Sequence, residues 1–179
     1  KKKFDKAEFT VRQAMQIKIT QELKDLLAKI KKEEAEEKYA VLLALAKKHF
    51  DEKKFDDAEK AVFTAMRIKR SEELEELLKL IKTARIDHQI VQLYKKAKDE
   101  YNKKLYEDAE KTVNSALRLK NTQELIELLT QIKQAIIDNK INIAYSNAER
   151  YYSERQFDKA IDIVISIKNE FQNKSPLVQ

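Results

Sequence analysis

The sequence contains no glycine and no cysteine, and its single proline, Pro176, stands near the end of the 179 residues. Glycine supplies the positive-φ positions of phosphate-binding loops and dinucleotide-binding folds, so its absence argues against P-loops, Rossmann fingerprints and GxSxG nucleophile elbows. Without cysteine there is no disulfide and no zinc site with thiolate ligands. The residues that dominate instead, among them Ala, Leu, Glu and Lys, are good helix formers.

Long apolar runs are also missing. The longest, residues 39–46, is far short of the roughly 20 apolar residues that a membrane span requires, so we expect no membrane span. Charged residues make up 38% of the chain and the net charge is +6. This modest excess favours a mild attraction to anionic partners but lacks the dense basic stripe of a nucleic-acid-binding domain.

One pattern occurs four times, each copy 51 residues after the one before it. The copies begin at Phe4, Phe55, Tyr106 and Phe157, and each places an acid next, an alanine three positions on and a valine seven positions on. We therefore predict a single helical-repeat domain over residues 1–179, with units starting near 4, 55, 106 and 157. Because nothing precedes the first copy that matches residues 43–53, we expect the chain to be a piece of a longer protein.

The spacing of apolar residues predicts an all-α protein in which short and long helical stretches alternate. The short stretches are 4–18, 55–69, 106–119 and 157–172, and the long ones are 20–52, 71–102 and 122–154. Thr20, Ser71 and Thr122 precede acids or amides and predict N-caps, while Asn121 with Glu124 also has capping-box spacing. Each long stretch is either one continuous helix or two helices separated by a kink near 32–37, 83–88 or 134–139.

Small residues give the chain a family resemblance. Ala46, Ala58 and Ala65 are 12 and 7 positions apart, and in this respect the chain resembles tetratricopeptide repeat proteins. Ala97, Ala109 and Ala116 repeat the spacing, and Ala148, Ala160 and Ile167 follow it with one change. The chain departs from the family in its period, which is about 34 residues there. It also lacks the family's proline and replaces its glycine with Lys53, Lys104 or Arg155.

The resemblance implies an α-solenoid of helical hairpins whose concave face binds a peptide or a partner protein. The long helices would line that face with Leu43, Lys47, Asp51, Tyr94, Lys98, Asn102, Tyr145, Glu149 and Ser153. Of the aromatic residues, Tyr94 and Tyr145 are expected to be exposed in it, and Phe50, Tyr101 and Tyr152 to belong to the core. The residues that clamp a chaperone's C-terminal carboxylate in some family members are not reproduced, so that ligand is not predicted.

Catalytic and metal-binding chemistry has little support. His49 and His88 have no partner at metal-ligand spacing that recurs in another copy, and zinc sites need several such ligands. Runs of acids such as 33–37 and 72–76 are solvated helix faces or helix N-termini. We therefore predict no enzyme activity, no metal and no cofactor.

The last short stretch differs from its three counterparts. Ile161, Ile163 and Ile165 replace residues that are mostly polar in the earlier copies, and Val164, Ile167 and Phe171 add to them. A helix that is apolar nearly all round is normally buried. We expect Ile161, Ile163, Ile165 and Phe171 to meet another subunit or a further segment, and the array to stop at Pro176.

Three functions remain open from the sequence. The first is a non-catalytic scaffold that binds a protein or peptide partner. The second is a binder of an anionic partner or nucleic acid, which the interspersed acids disfavour. It would use the lysines at 47, 48, 53, 54, 95, 96, 103 and 104. The third is a structural spacer or a self-assembly module, including a homo-oligomer formed through the last helix.

Overall fold

The computed structural model describes residues 2–172, which form seven helices and no strand. The helices are α1 (Lys2–Ile17), α2 (Gln21–Asp51), α3 (Phe55–Ile68), α4 (Glu72–Asn102), α5 (Tyr106–Leu119), α6 (Gln123–Ser153) and α7 (Phe157–Gln172). This confirms the all-α prediction and the alternation of long and short helices. Pro176, where the array was expected to stop, lies outside the described residues.

The long helices are uninterrupted. α2, α4 and α6 each contain 31 residues, which corresponds to about 46 Å of helix. The alternative of two helices in each stretch was therefore wrong. The polar run in the middle of α2 keeps helical geometry because its charges pair along the helix, with Lys38 Nζ 2.6 Å from Glu34 Oε1. The hydrogen bond to Glu34 raises the pKa of Lys38.

The predicted N-caps are confirmed. The side-chain oxygens of Thr20, Ser71 and Thr122 accept hydrogen bonds from the backbone N–H three residues later, at 3.4, 3.3 and 3.4 Å. Each bond satisfies one of the N–H groups that the first turn of a helix leaves unpaired. Thr122 rather than Asn121 caps α6, so the capping box based on Asn121 was wrong.

The long helices end in left-handed turns that contain no glycine. Lys53, Lys104 and Arg155 have φ of 58°, 61° and 60°. In the second of these turns, Lys104 N–H donates to Tyr101 O and Leu105 N–H donates to Glu100 O, both at 2.9 Å. This pair of bonds is the Schellman motif, whose left-handed position is usually glycine because a Cβ is unfavourable there.

Lys104→Gly is therefore expected to raise the free energy of unfolding by about 1 kcal/mol, because glycine removes the strain at positive φ. Urea denaturation followed by circular dichroism measures the change. Lys103→Gly is the matched control, since Lys103 is not among the residues with positive φ. There glycine should cost roughly 0.5 kcal/mol through lost chain entropy. Equal changes in the two variants would contradict this account of the turn.

The chain divides into two compact units, Lys1–Asp87 and His88–Gln179. The first unit holds α1, α2, α3 and the first half of α4, and the second holds the rest of α4 with α5, α6 and α7. In the first unit α1 packs against α2 and α2 against α3, and in the second unit α5 packs against α6 and α6 against α7. The organisation of residues 1–179 as one repeat domain stays a prediction.

The core of the first unit joins two kinds of residue. Small side chains on α2 and α3, such as Ala46, Ala58 and Val62, are fully buried. Larger side chains from the first half of α4 complete the cluster, namely Leu74, Leu77 and Ile81. Because these three recur at three- and four-residue spacing, they form one helix face that lies over the hairpin of α2 and α3.

The second unit has an equivalent core. Ala97, Ala109, Val113 and Ala116 are fully buried, and the first half of α6 contributes Leu125, Leu128 and Ile132. The covering segment of each hairpin is therefore the first half of the next long helix, with Leu, Leu and Ile at the same spacing. By the same rule, the last hairpin, formed by α6 and α7, is expected to need a covering segment of the same kind.

Candidate functional site

An apolar groove of about 640 Å³ lies between the second half of α6 and α7. We call it the α7 groove. Its lining consists of Tyr145, Ala148, Glu149, Tyr152, Phe157, Ala160, Ile161, Val164 and Ile165. Aliphatic and aromatic side chains make up most of this surface, and the carboxylate of Glu149 gives it a charge. Such a lining suits an apolar ligand surface positioned by a small number of polar groups.

Helical spacing explains how these side chains come together. The four residues of α6 fall at steps of three and one, and those of α7 at steps of three, one, three and one, so each set lies on one helix face. The rings of Tyr152 and Phe157 meet across the turn between the helices, with centroids 5.5 Å apart in an edge-to-face arrangement. The α7 groove is thus the inner surface of a helical hairpin.

The same surface is buried in the two preceding hairpins. Val62 and Val113 are 0% exposed, whereas Val164 at the equivalent position is 58% exposed. Ala58 and Ala109 are also fully buried, while Ala160 is only half-buried. The physical reason is that the first half of the next long helix covers the earlier hairpins, and no such segment covers α6 and α7 among residues 2–172.

Tyr152 illustrates the consequence. Its counterparts Phe50 and Tyr101 pack against the cores of their units, as expected for core residues. Tyr152 itself is 67% exposed, so its prediction as a core residue was wrong. An aromatic residue at this position is buried only when a covering segment lies against it.

Two predicted surfaces converge in the α7 groove. Tyr145 and Glu149 belong to the predicted concave face, and Ile161 and Ile165 to the predicted apolar interface; all four line the groove. The other three predicted residues in this region do not line it. The hydroxyl of Ser153 donates to Arg150 O at 2.7 Å, and Ile163 and Phe171 are half-buried.

Five lining residues were not predicted as site residues: Ala148, Tyr152, Phe157, Ala160 and Val164. These five residues were not predicted because the equivalent residues of the earlier hairpins belong to or pack against the core clusters. The signal that identifies them is structural. It is the difference in burial between equivalent positions of successive hairpins.

In the first unit, the predicted concave-face residues have different roles. Lys47 Nζ forms an ion pair with Glu73 Oε1 at 2.7 Å, between α2 and the start of α4. Asp51 is exposed. Leu43 packs against the core cluster, which makes it a structural residue.

In the second unit, Tyr94 is half-buried and packs against the core cluster, although it was expected to be exposed. Its ring is also covered by a cation, because Lys98 Nζ lies 5.2 Å from the ring centroid. Asn102 is exposed near the end of α4. The structure therefore brings only Tyr145 and Glu149 of the predicted concave face into the α7 groove.

A smaller groove, of about 450 Å³, lies in the first unit. It is lined by Phe4, Glu34, Glu37, Lys38, Val41, Leu42, Thr64 and Ile68. Three of these residues are charged, and two of them, Glu34 and Lys38, form an ion pair with each other, whereas Glu149 is the one charged residue in the lining of the α7 groove.

Half of the eight lysines that were considered for an anionic partner form ion pairs within the chain. Lys47, Lys48, Lys54 and Lys96 each lie within ion-pair distance of a carboxylate. Four of the eight lysines are thus already paired, which weakens the field that they present to an anionic partner.

Within the described residues, no group of three or more His, Cys, Asp or Glu side chains is arranged to hold a metal ion. None of the helices of residues 2–172 combines the length and apolar character needed to cross a membrane. The α7 groove is therefore the strongest candidate site.

Comparison with models of known protein families, with curated proteins and with solved structures finds no match for this chain. Function is therefore inferred from the side chains of the α7 groove and from the regular way in which the other hairpins are covered.

Proposed function

We propose that this chain is a non-catalytic protein-interaction scaffold of tetratricopeptide-like hairpins that binds a peptide or partner protein in the α7 groove. The observation that carries the proposal is the exposure of Val164, at a position that is fully buried in both preceding hairpins. A side chain that is buried in the three earlier copies and open in the fourth marks a surface suited to an added segment.

The expected gain from covering this surface is sizeable. Ile161, Val164 and Ile165 are each about half exposed, at 55%, 58% and 49%. Burial of a whole Val or Ile side chain contributes about 1.5–3 kcal/mol, so covering these three contributes roughly 3 kcal/mol. Tyr145 and Tyr152 add apolar area with few rotatable bonds, as is typical of residues that dominate protein interfaces. The free energy gained by burying these side chains offsets part of the entropy lost on association.

Selection from a random peptide display library tests the proposal. Peptides selected on the chain are expected to bind at least tenfold more weakly to Val164→Asp, because the carboxylate would be buried against an apolar ligand. Val91→Asp is the matched control, since Val91 is 62% exposed on α4 and does not line the α7 groove. Selected peptides that bind Val164→Asp and the unaltered chain equally well would contradict the proposal, as would a library that yields no binder.

A further inference from the structure

We infer that the α7 groove binds an amphipathic α-helix with leucine, leucine and isoleucine at successive spacings of three and four residues and a basic residue directly before the first leucine. This inference rests on the proposed function and deepens it by giving the chemistry of the ligand. The ligand helix belongs to a different protein rather than to a second copy of this chain.

The apolar part of the ligand follows from the covered hairpins. Leu74, Leu77 and Ile81 complete the core that includes Ala58 and Val62. Leu125, Leu128 and Ile132 do the same for the hairpin that contains Val113. Two hairpins with equivalent surfaces are thus covered by helices that carry the same pattern of leucine, leucine and isoleucine. Since the α7 groove keeps the alanine and valine of that surface, as Ala160 and Val164, it fits a helix with that pattern.

The charge of the ligand follows from an ion pair in the first unit. Glu73, directly before Leu74, pairs with Lys47 at 2.7 Å between their charged atoms. The equivalent of Lys47 in the last hairpin is Glu149, which lines the α7 groove. Because the sign on the groove side is reversed, a ligand helix is favoured when the residue before its first leucine is Lys or Arg.

The same reversal selects against a second copy of this chain. Both covering segments carry an acid at this position, Glu73 in α4 and Glu124 in α6, and the equivalent residue of α2 is also an acid, Glu22. Placed in the α7 groove, each would set a carboxylate against that of Glu149. Like charges in such positions weaken association and so favour a different partner.

A second position also distinguishes the α7 groove. In the first unit, Arg85 Nη2 lies 2.6 Å from Glu59 Oε2 and 3.0 Å from Asp56 Oδ1. The equivalent of Glu59, the closer of these two carboxylates, is Ile161 in the last hairpin, and only Asp56 keeps an acidic equivalent there, Asp158. Ile161 lines the α7 groove and presents an apolar side chain at this position. The ligand residue eleven positions after the first leucine should therefore be apolar, as Ile136 is at that position in α6.

These two requirements define a probe and its experiment. A synthetic peptide with the sequence of residues 122–138 supplies the leucines, the isoleucine and the apolar residue at position 136, and a second peptide carries Glu124→Lys. The affinity of both for the full chain is measured by isothermal titration calorimetry. The Lys peptide is expected to bind about two- to fivefold more tightly, the range for a single solvent-exposed ion pair.

Two variants of the chain locate the binding. Glu149→Lys is expected to reverse the preference, so that the unaltered peptide binds more tightly than the Lys peptide. Val164→Asp is expected to abolish the binding of both peptides, and Val91→Asp to leave it unchanged. Light scattering of the free chain at the same concentrations is expected to give a monomer.

Several results would overturn the inference. These are the absence of binding, equal affinities for the two peptides, insensitivity to Val164→Asp, and a dimer of the chain that the peptide dissociates. The proposed function fails separately, because it depends on the library peptides. If those peptides require Val164 while the helical peptides do not bind, the α7 groove is a binding site for a ligand of another kind.

Discussion

Val113→Asp is expected to unfold the second unit, whereas Val164→Asp should leave it folded. The two valines occupy equivalent positions in successive hairpins, but Val113 is 0% exposed and Val164 is 58% exposed. An aspartate at position 113 would bury an unpaired carboxylate among Ala97, Ala116 and Leu125, at a cost of about 4 kcal/mol or more. At position 164 the carboxylate keeps its contact with water, and the loss should be below about 1 kcal/mol.

Circular dichroism with urea denaturation measures both effects on the full chain. Val113→Asp should lose much of its helical signal, or unfold at a much lower urea concentration, while Val164→Asp should unfold close to the unaltered chain. Similar losses in both variants would show that Val164 is a core residue in solution. That result would remove the basis for an open α7 groove.

Ile132→Ala is expected to lower the free energy of unfolding of the second unit by about 3–4 kcal/mol. Ile132 is fully buried in the covering segment of α6, so truncation removes apolar burial and leaves a cavity. The matched control is Ile143→Ala on the same helix, where the side chain is 54% exposed and the loss should be below about 1 kcal/mol. Urea titration of both variants at one temperature provides the comparison.

This second prediction tests whether a covering segment stabilises a hairpin through its leucines and isoleucine. A loss at Ile132 no larger than that at Ile143 would contradict it. The pattern of Leu125, Leu128 and Ile132 would then no longer serve as a template for a ligand of the α7 groove.

Much of the local structure could be predicted from the sequence, because its causes are local. The cap oxygens of Thr20, Ser71 and Thr122 each act on an N–H group three residues away. The middle of α2, residues 31–38, consists entirely of good helix formers, which accounts for its continuity. The left-handed geometry at Lys53 and Lys104 was not predicted, since nothing in a lysine side chain indicates positive φ.

Burial was harder to predict, because it depends on segments distant in sequence. The aromatic residues Phe50, Tyr101 and Tyr152 are equivalent in sequence, yet only Tyr152 is largely exposed. The difference arises from the covering segment, which belongs to the next long helix and not to the hairpin itself. For the same reason, sequence reasoning found the unusual apolar character of α7, to which Val164 contributes, but did not predict that Val164 lines an open groove.

The predicted site residues also show that helix faces could be predicted from the sequence, whereas contacts between helices could not. Tyr145 and Ile161 were assigned to two separate surfaces, a concave face and an oligomer interface, and the structure places them in one groove. Their proximity results from the packing of α6 against α7. The spacing of apolar residues within one helix gives the face on which a residue lies, but not the helix that this face meets.

Methyl NMR of the chain, labelled at isoleucine and valine and titrated with the 122–138 peptide that carries Glu124→Lys, tests the central claim most directly. If the α7 groove is an open docking surface, the methyl signals of Ile161, Val164 and Ile165 shift as the peptide binds. Those of Val91 and of the buried Val113 and Ile132 stay in place. Shifts confined to Val113 and Ile132, or no shifts at saturating peptide, would contradict it.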